Sequence, residues 1–78
     1  METKNPNPEK SISSAFDSVN LINKLITETA DEKRKSTVER NVKHLELMLT
    51  KDFFLTALTS LQKTQIETAI SSGNSYIA

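Results

Sequence analysis

From Ile12 onward apolar residues recur at spacings of three and four: Ile12, Ala15, Phe16, Val19, Ile22 and Ile26. That spacing lines them along one stripe of an α-helix. Upstream, "NPEK" supplies a helix start, with Asn7 at the N-cap and Pro8 at the first helical position, where a missing N–H costs nothing. Ser14, with Asp17 three residues on, is an alternative start. Leu21 and Leu25 fall off the stripe; at about 100° per residue Leu21 points roughly opposite Ile12. Either this helix is sandwiched between two neighbours, or Leu21 and Leu25 contact another molecule.

The charged run "ADEKRK", residues 30–35, interrupts the pattern without Gly or Pro. Ser36 with Glu39 then reads as a capping box, which predicts a turn near residues 30–36; one continuous bent helix is the alternative, because every residue of "DEKRK" is compatible with a helix. A second helix, 37–50, carries Val38, Val42, Leu45 and Leu49 at spacings of four, three and four, with Met48 beside the stripe and Leu47 facing away from it. Glu39 and Lys43 form an i, i+4 pair in the favourable order. "TKDFFLTAL" predicts a short helical segment, 52–57, capped by Thr50 or Asp52. Its Phe53 and Phe54 plug the junction between helices and, with Phe16, are expected to dominate the core, because aromatic side chains bury the most area. Thr59 and Gln62 form another capping box, opening a helix over 60–72 that Gly73 ends in a left-handed C-cap. The tail "NSYIA" is expected to fold back onto the core through Tyr76 and Ile77. No alternating run between hairpin turn residues predicts a strand.

The expected fold class is therefore all-α: three main helices, 8–30, 37–50 and 60–72, a short segment at 52–57, and short connections that make sequential helices antiparallel neighbours. Residues 1–7 are read as a mobile N-terminal arm and residues 8–78 as one domain. A 78-residue domain buries only about 60% of the surface its unfolded chain exposes. With no cysteine, disulfides and thiolate metal sites are excluded, and a second chain is the remaining source of support.

Charge narrows the function classes. Ten basic and ten acidic residues cancel, so no strong overall field draws in nucleic acid or anionic lipid. No apolar run approaches the roughly 18 residues of a membrane span, and the N-terminus has no apolar segment of a secretory signal. The expected location is a reducing cytosol or a particle assembled there. The basic cluster Lys33, Arg34, Lys35, Arg40 and Lys43 offers phosphate contacts, but Asp31, Glu32 and Glu39 interleave with it and no aromatic stands among the basic residues to stack on a base. "LTSLQKTQIETAI" invites comparison with a helix-turn-helix; its second helix brings Gln62 and Gln65 but a single Lys to read DNA.

His44 is the only histidine. A zinc or iron site needs three or four ligands, and no second His or Cys is present to complete one. As a general base, His44 needs an orienting acid and a nucleophile, and no spacing selects either. It reads as a boundary residue of the second helix. No metal, no cofactor and no enzymatic activity are expected.

"RNVKHLELMLTKDFF" (residues 40–54) and "AISSGNSYIA" (residues 69–78) resemble the C-terminal halves of short helical proteins encoded by tailed bacteriophages, especially marine and cyanobacterial ones. The resemblance covers roughly residues 36–78 and rests on an N-V-x-H-L core, a paired phenylalanine and an A-I-x-x-G-x-x-Y-I ending. These are packing and capping residues, and no catalytic residue comes with them. What the resemblance implies is a small phage protein, built into the virion or acting on host factors inside the infected cell. The expected function is non-enzymatic: burial of an apolar helical face, with Leu21, Leu25 and Leu47 as interface candidates, against a second copy or another phage protein. The alternative is a nucleic-acid-associated protein using the cluster at 33–43.

Overall fold

The structure, a computed structural model, describes residues 7–78. Of the expected N-terminal arm, residues 1–6 lie outside the described residues. Four helices follow in order: α1 (Pro8–Leu25), α2 (Glu32–Met48), α3 (Asp52–Ala57) and α4 (Ser60–Ile77). No strand occurs among the described residues, and α1, α2 and α4 pack pairwise into a three-helix bundle with α3 against α1.

The start of α1 follows from its first residues. Asn7 has extended backbone, and its side-chain oxygen accepts from the Lys10 amide at 3.2 Å, with Pro8 at the first helical position. The helix ends at Leu25, five residues short of the expected end. The Thr27 hydroxyl bonds back to the Lys24 carbonyl at 2.7 Å, satisfying an acceptor the helix leaves open. Asp31 then opens α2, its carboxylate accepting from the Arg34 amide at 2.8 Å. This displaces the expected cap at Ser36, which lies inside α2 and accepts from Arg40 Nη1 at 3.2 Å. An aspartate is a strong N-cap, and its negative charge also suits the positive end of the helix dipole.

Hydrogen bonds fix the direction of packing. Ser18 donates to Asn41 Oδ1 at 2.8 Å, and Ser14 Oγ lies 3.5 Å from His44 Nε2. Rising numbers on α1 thus meet falling numbers on α2, so the two are antiparallel. Asn41 in turn donates to the Thr37 carbonyl at 2.8 Å. This half-buried polar relay was not anticipated; Asn41, set between Val38, Val42 and Leu45, was its one sequence signal.

The core consists of Ala15, Val19 and Ile22 from α1, Val38, Val42 and Leu45 from α2, Phe54 from α3, and Ile66 and Ala69 from α4. Every one is at most 4% exposed. Phe54 is the aromatic at the centre; Phe16 and Phe53 are half-buried around it, a smaller share than expected for those two. Neither Thr50 nor Asp52 caps α3. Lys51 stands at its N-cap without a side-chain bond, while the Thr50 hydroxyl donates to the Leu47 carbonyl at 2.6 Å.

α4 begins with the expected reciprocal cap: the Gln62 amide donates to Thr59 Oγ1 at 3.1 Å and the Thr59 amide to Gln62 Oε1 at 2.9 Å. It does not stop before Gly73. That residue is buried inside the helix, without the positive φ of a left-handed cap. A β-carbon built there would lie 2.5 Å from Val42 Cγ2, 3.2 Å from Val38 Cγ1 and 3.5 Å from Ile22 Cγ2. Glycine therefore serves the close approach of three helices rather than a turn. Tyr76 and Ile77 reach the core as the last turn of α4, not as a returning tail.

Candidate functional site

The proposed interface leucines do not converge. Leu25 packs against the core and is half-buried, so the bundle itself takes it up. Leu21 is 36% exposed and Leu47 is 55% exposed. The Ser18–Asn41 bond sets the register: three residues on from Ser18, Leu21 stands level with Val38. Leu47 is nine residues beyond Val38, about 13 Å further along the helix axis, and faces away from the stripe that packs inward. Leu61, at 66%, is more exposed than either. The sequence reading missed it; its position two residues after the α4 capping threonine, outside the Ile66, Ala69 and Ile70 face, was the available signal.

The basic residues divide by the geometry of α2: Lys33, Arg40 and Lys43 share one exposed side at helical spacing, Arg34 and Lys35 lie off it, and three of the five are engaged in local bonds. Arg34 clamps the α1–α2 connection: Nε donates to Glu28 Oε1 at 2.8 Å, and Nη1 donates to Asp31 Oδ2 at 2.6 Å and to the Thr29 carbonyl at 3.4 Å. The Glu28 bond, with the charge of Asp31, raises the affinity of the guanidinium for its proton. Asp31 is held below its ordinary carboxylate range, first by the Arg34 backbone N–H and then by the Arg34 charge acting against desolvation. Lys43 pairs with Glu39 at 3.6 Å, as the i, i+4 spacing predicts, and Arg40 bonds the hydroxyls of Ser36 and Thr37. Lys33 and Lys35 form no ion pair among the described residues. At about 100° per residue they stand roughly 160° apart around α2, so they do not face one phosphate together.

His44 borders a groove of about 310 Å³ with Asn7, Lys10, Ser11, Ser14 and Met48. Its 3.5 Å approach to Ser14 Oγ is the nearest arrangement to a nucleophile beside a base. A working pair needs the imidazole oriented by a third group, and no carboxylate bonds His44 among the described residues. Nor do the described His, Asp and Glu side chains form a group of three that could hold a metal ion. No described helix is long and apolar enough to cross a membrane.

No protein family, curated protein or solved structure matches the chain.

A second groove, of about 260 Å³, runs between α1 and α4 over Phe16 and is walled by Asn20 and Asn23 on one side and Thr64, Gln65 and Thr68 on the other. Its walls are carboxamides and hydroxyls, each of which both donates and accepts hydrogen bonds. No sequence motif marks this groove, because α1 and α4 are 34 residues apart in the chain (Leu25 to Ser60 exclusive) and only the bundle brings them together.

Proposed function

We propose that this chain is a non-enzymatic helical interaction protein, of the kind small tailed-phage proteins exemplify, that works by covering its exposed leucines with a protein partner. It acts in the virion or in the infected cell. The observation that carries this reading is the contrast between two sets of side chains. Leu21, Leu47 and Leu61 stand in solvent, whereas Arg34, Arg40 and Lys43, three of the five residues available to bind phosphate, are engaged within the chain. Single surface leucines are ordinary, so the reading also leans on the size of the chain, whose small core leaves a partner as the natural additional support. The missing third partner of Ser14 and His44 favours a binding role over a catalytic one.

The alternative is nucleic-acid binding through Lys33 and Lys35 with Arg40. The discriminating experiment is fluorescence anisotropy with labelled DNA and RNA across a salt series. The expected result is no binding at low salt. Binding that falls steeply with salt and weakens in Lys33→Ala and Lys35→Ala would replace the interaction reading with the alternative, since phosphate contacts release counterions.

A further inference from the structure

We infer that the groove between α1 and α2, on the side away from α4, seats an acidic amphipathic helix of a protein partner. The inference rests on the interaction reading above and assigns it a face and a partner chemistry.

Two exposed stripes of seven-residue spacing flank this groove: Lys10, Asp17 and Lys24 on α1, and Lys33, Arg40 and Leu47 on α2. Lys10 lines the groove with Ser14 and His44. Arg40 and Leu47 stand one turn to either side of His44, and Asp17 one turn beyond Ser14. Asp17 forms no ion pair among the described residues, and it shares this face with four cations. Glu28 and Asp31, at the Lys24–Lys33 end, are engaged by Arg34. Glu32, Glu39 and Glu46 recur on a parallel stripe about 100° round α2, where Glu39 reaches Lys43. The chain as a whole is neutral, so its charge is segregated by sides rather than absent. Leu21, three residues on from Ser18, and Leu47 are the exposed apolar side chains of the same face, one on each wall of the groove.

Charge complementarity selects the occupant. Lys10, Lys24, Lys33 and Arg40 call for carboxylates, and opposite potentials across an interface are what give it specificity. A second copy presenting this same face is excluded, because a two-fold axis would set these cations against themselves. The leucines select a protein over a nucleic acid. A phosphate backbone leaves Leu21 and Leu47 uncovered, Asp17 repels it, and no aromatic stands on this face to stack on a base. The shape selects a helix. No strand edge is present among the described residues to pair with an extended segment, whereas the furrow between two packed helices takes a third by its apolar face. Leu21 and Leu47 are about 13 Å apart along the axis. Residues eight apart on a helix rise about 12 Å and differ by about 80° around it, which suits one leucine on each wall. Acidic residues on both flanks of such a helix then meet the two stripes.

The test is fluorescence anisotropy of the full chain with three labelled probes. One is a synthetic helical peptide of about five turns with leucines along one face and glutamates on both flanks; the second carries lysine at every glutamate position; the third is duplex DNA. The acidic peptide should bind with a dissociation constant on the order of tens of micromolar and weaken as salt rises; the lysine peptide and the DNA should not bind. Lys33→Glu and Arg40→Glu should each weaken the acidic peptide about tenfold, and Leu47→Ser about tenfold, while circular dichroism stays helical, since all three positions are exposed. Lys63→Glu and Leu61→Ser on α4 should change nothing. No binding of the acidic peptide overturns the inference, as does equal binding of the two peptides or indifference to both Lys33→Glu and Arg40→Glu. If Leu61→Ser alone abolishes peptide binding, the interaction reading stands and the α1–α2 face is wrong. DNA binding that falls steeply with salt, is lost in Arg40→Glu and is unmoved in Leu47→Ser removes the interaction reading itself.

Discussion

Replacing Gly73 with alanine sets two effects of opposite sign against each other at one atom. In a helix interior alanine is favoured over glycine by about 0.8–1.0 kcal/mol, because glycine loses more backbone freedom on folding. Propensity alone therefore predicts a stabilised protein. The new methyl, however, would sit 2.5 Å from Val42 Cγ2 and 3.2 Å from Val38 Cγ1. Neither valine can yield easily. Both are buried, at 2% and 0% exposure, and a β-branched side chain in a helix has one strongly preferred rotamer. The helices must part by a few tenths of an ångström or a valine must leave its well, and overpacking of this kind costs about 1–3 kcal/mol. The net expectation is destabilisation of about 1 kcal/mol, equivalent to a fall in Tm of about 4–8 °C for a domain of this size. Urea unfolding followed by circular dichroism measures it. The cause is isolated by a double-mutant cycle with Val42→Ala, which removes the clashing methyl: Gly73→Ala should be less harmful, or stabilising, on that background, giving a coupling of about 1 kcal/mol or more. A Gly73→Ala protein more stable than wild type by the full propensity difference would refute the close-approach argument and return Gly73 to a role in backbone flexibility.

Four further outcomes are expected. Phe54→Ala empties the centre of the core and should cost about 3–5 kcal/mol, enough to abolish cooperative thermal unfolding in a domain this small. Ser18→Ala leaves Asn41 Oδ1 without its donor and should cost about 1–2 kcal/mol in urea unfolding, more than Ser13→Ala on the exposed face. Tyr76 OH donates to the carbonyls of Glu28 and Thr29 at 3.1 and 3.2 Å; Tyr76→Phe should cost about 1 kcal/mol, and hydrogen exchange should quicken first in the last turn of α4. Asp31 has a folded-state pKa below its ordinary value, so its contribution is fully present above the unfolded-state pKa near 3.9 and is lost as pH falls through the lower folded value. Asp31→Asn keeps the capping oxygen but not the charge, and should flatten that acid limb of the urea midpoint against pH; an unchanged limb would assign it to other carboxylates.

Much of the architecture was legible before any coordinates. The helical class, the Asn7–Pro8 start, the Thr59–Gln62 cap, the Val38–Val42–Leu45 stripe and the outward direction of Leu47 all follow from interactions within three or four residues, which sequence spacing encodes directly. The boundaries that failed were competitions between local signals. Ser36–Glu39 is a sound capping box, but Asp31 offers a charged cap one turn and more earlier, and Arg34 reinforces it by clamping Glu28, Thr29 and Asp31. Such a contest is decided by the folded connection between α1 and α2, not by the motif. Gly73 is the clearest case: a glycine near a helix end and a glycine where helices touch look alike in one dimension, and only the positions of Val42, Val38 and Ile22 distinguish them.

By itself, then, the order of residues determined which segments are helical, which side of each is apolar, and that the chain has no cysteine and a single histidine. Tertiary structure alone decided which helix ends survive, that Leu25 belongs inside while Leu61 stands in solvent, that Arg34 is spent on Glu28, Thr29 and Asp31, and that Asn20, Asn23, Gln65 and Thr68 share one charge-free groove. The physical reason is range. Helix propensity and capping act over a single turn, whereas a groove is made by side chains dozens of residues apart that meet only once three helices have buried a common core.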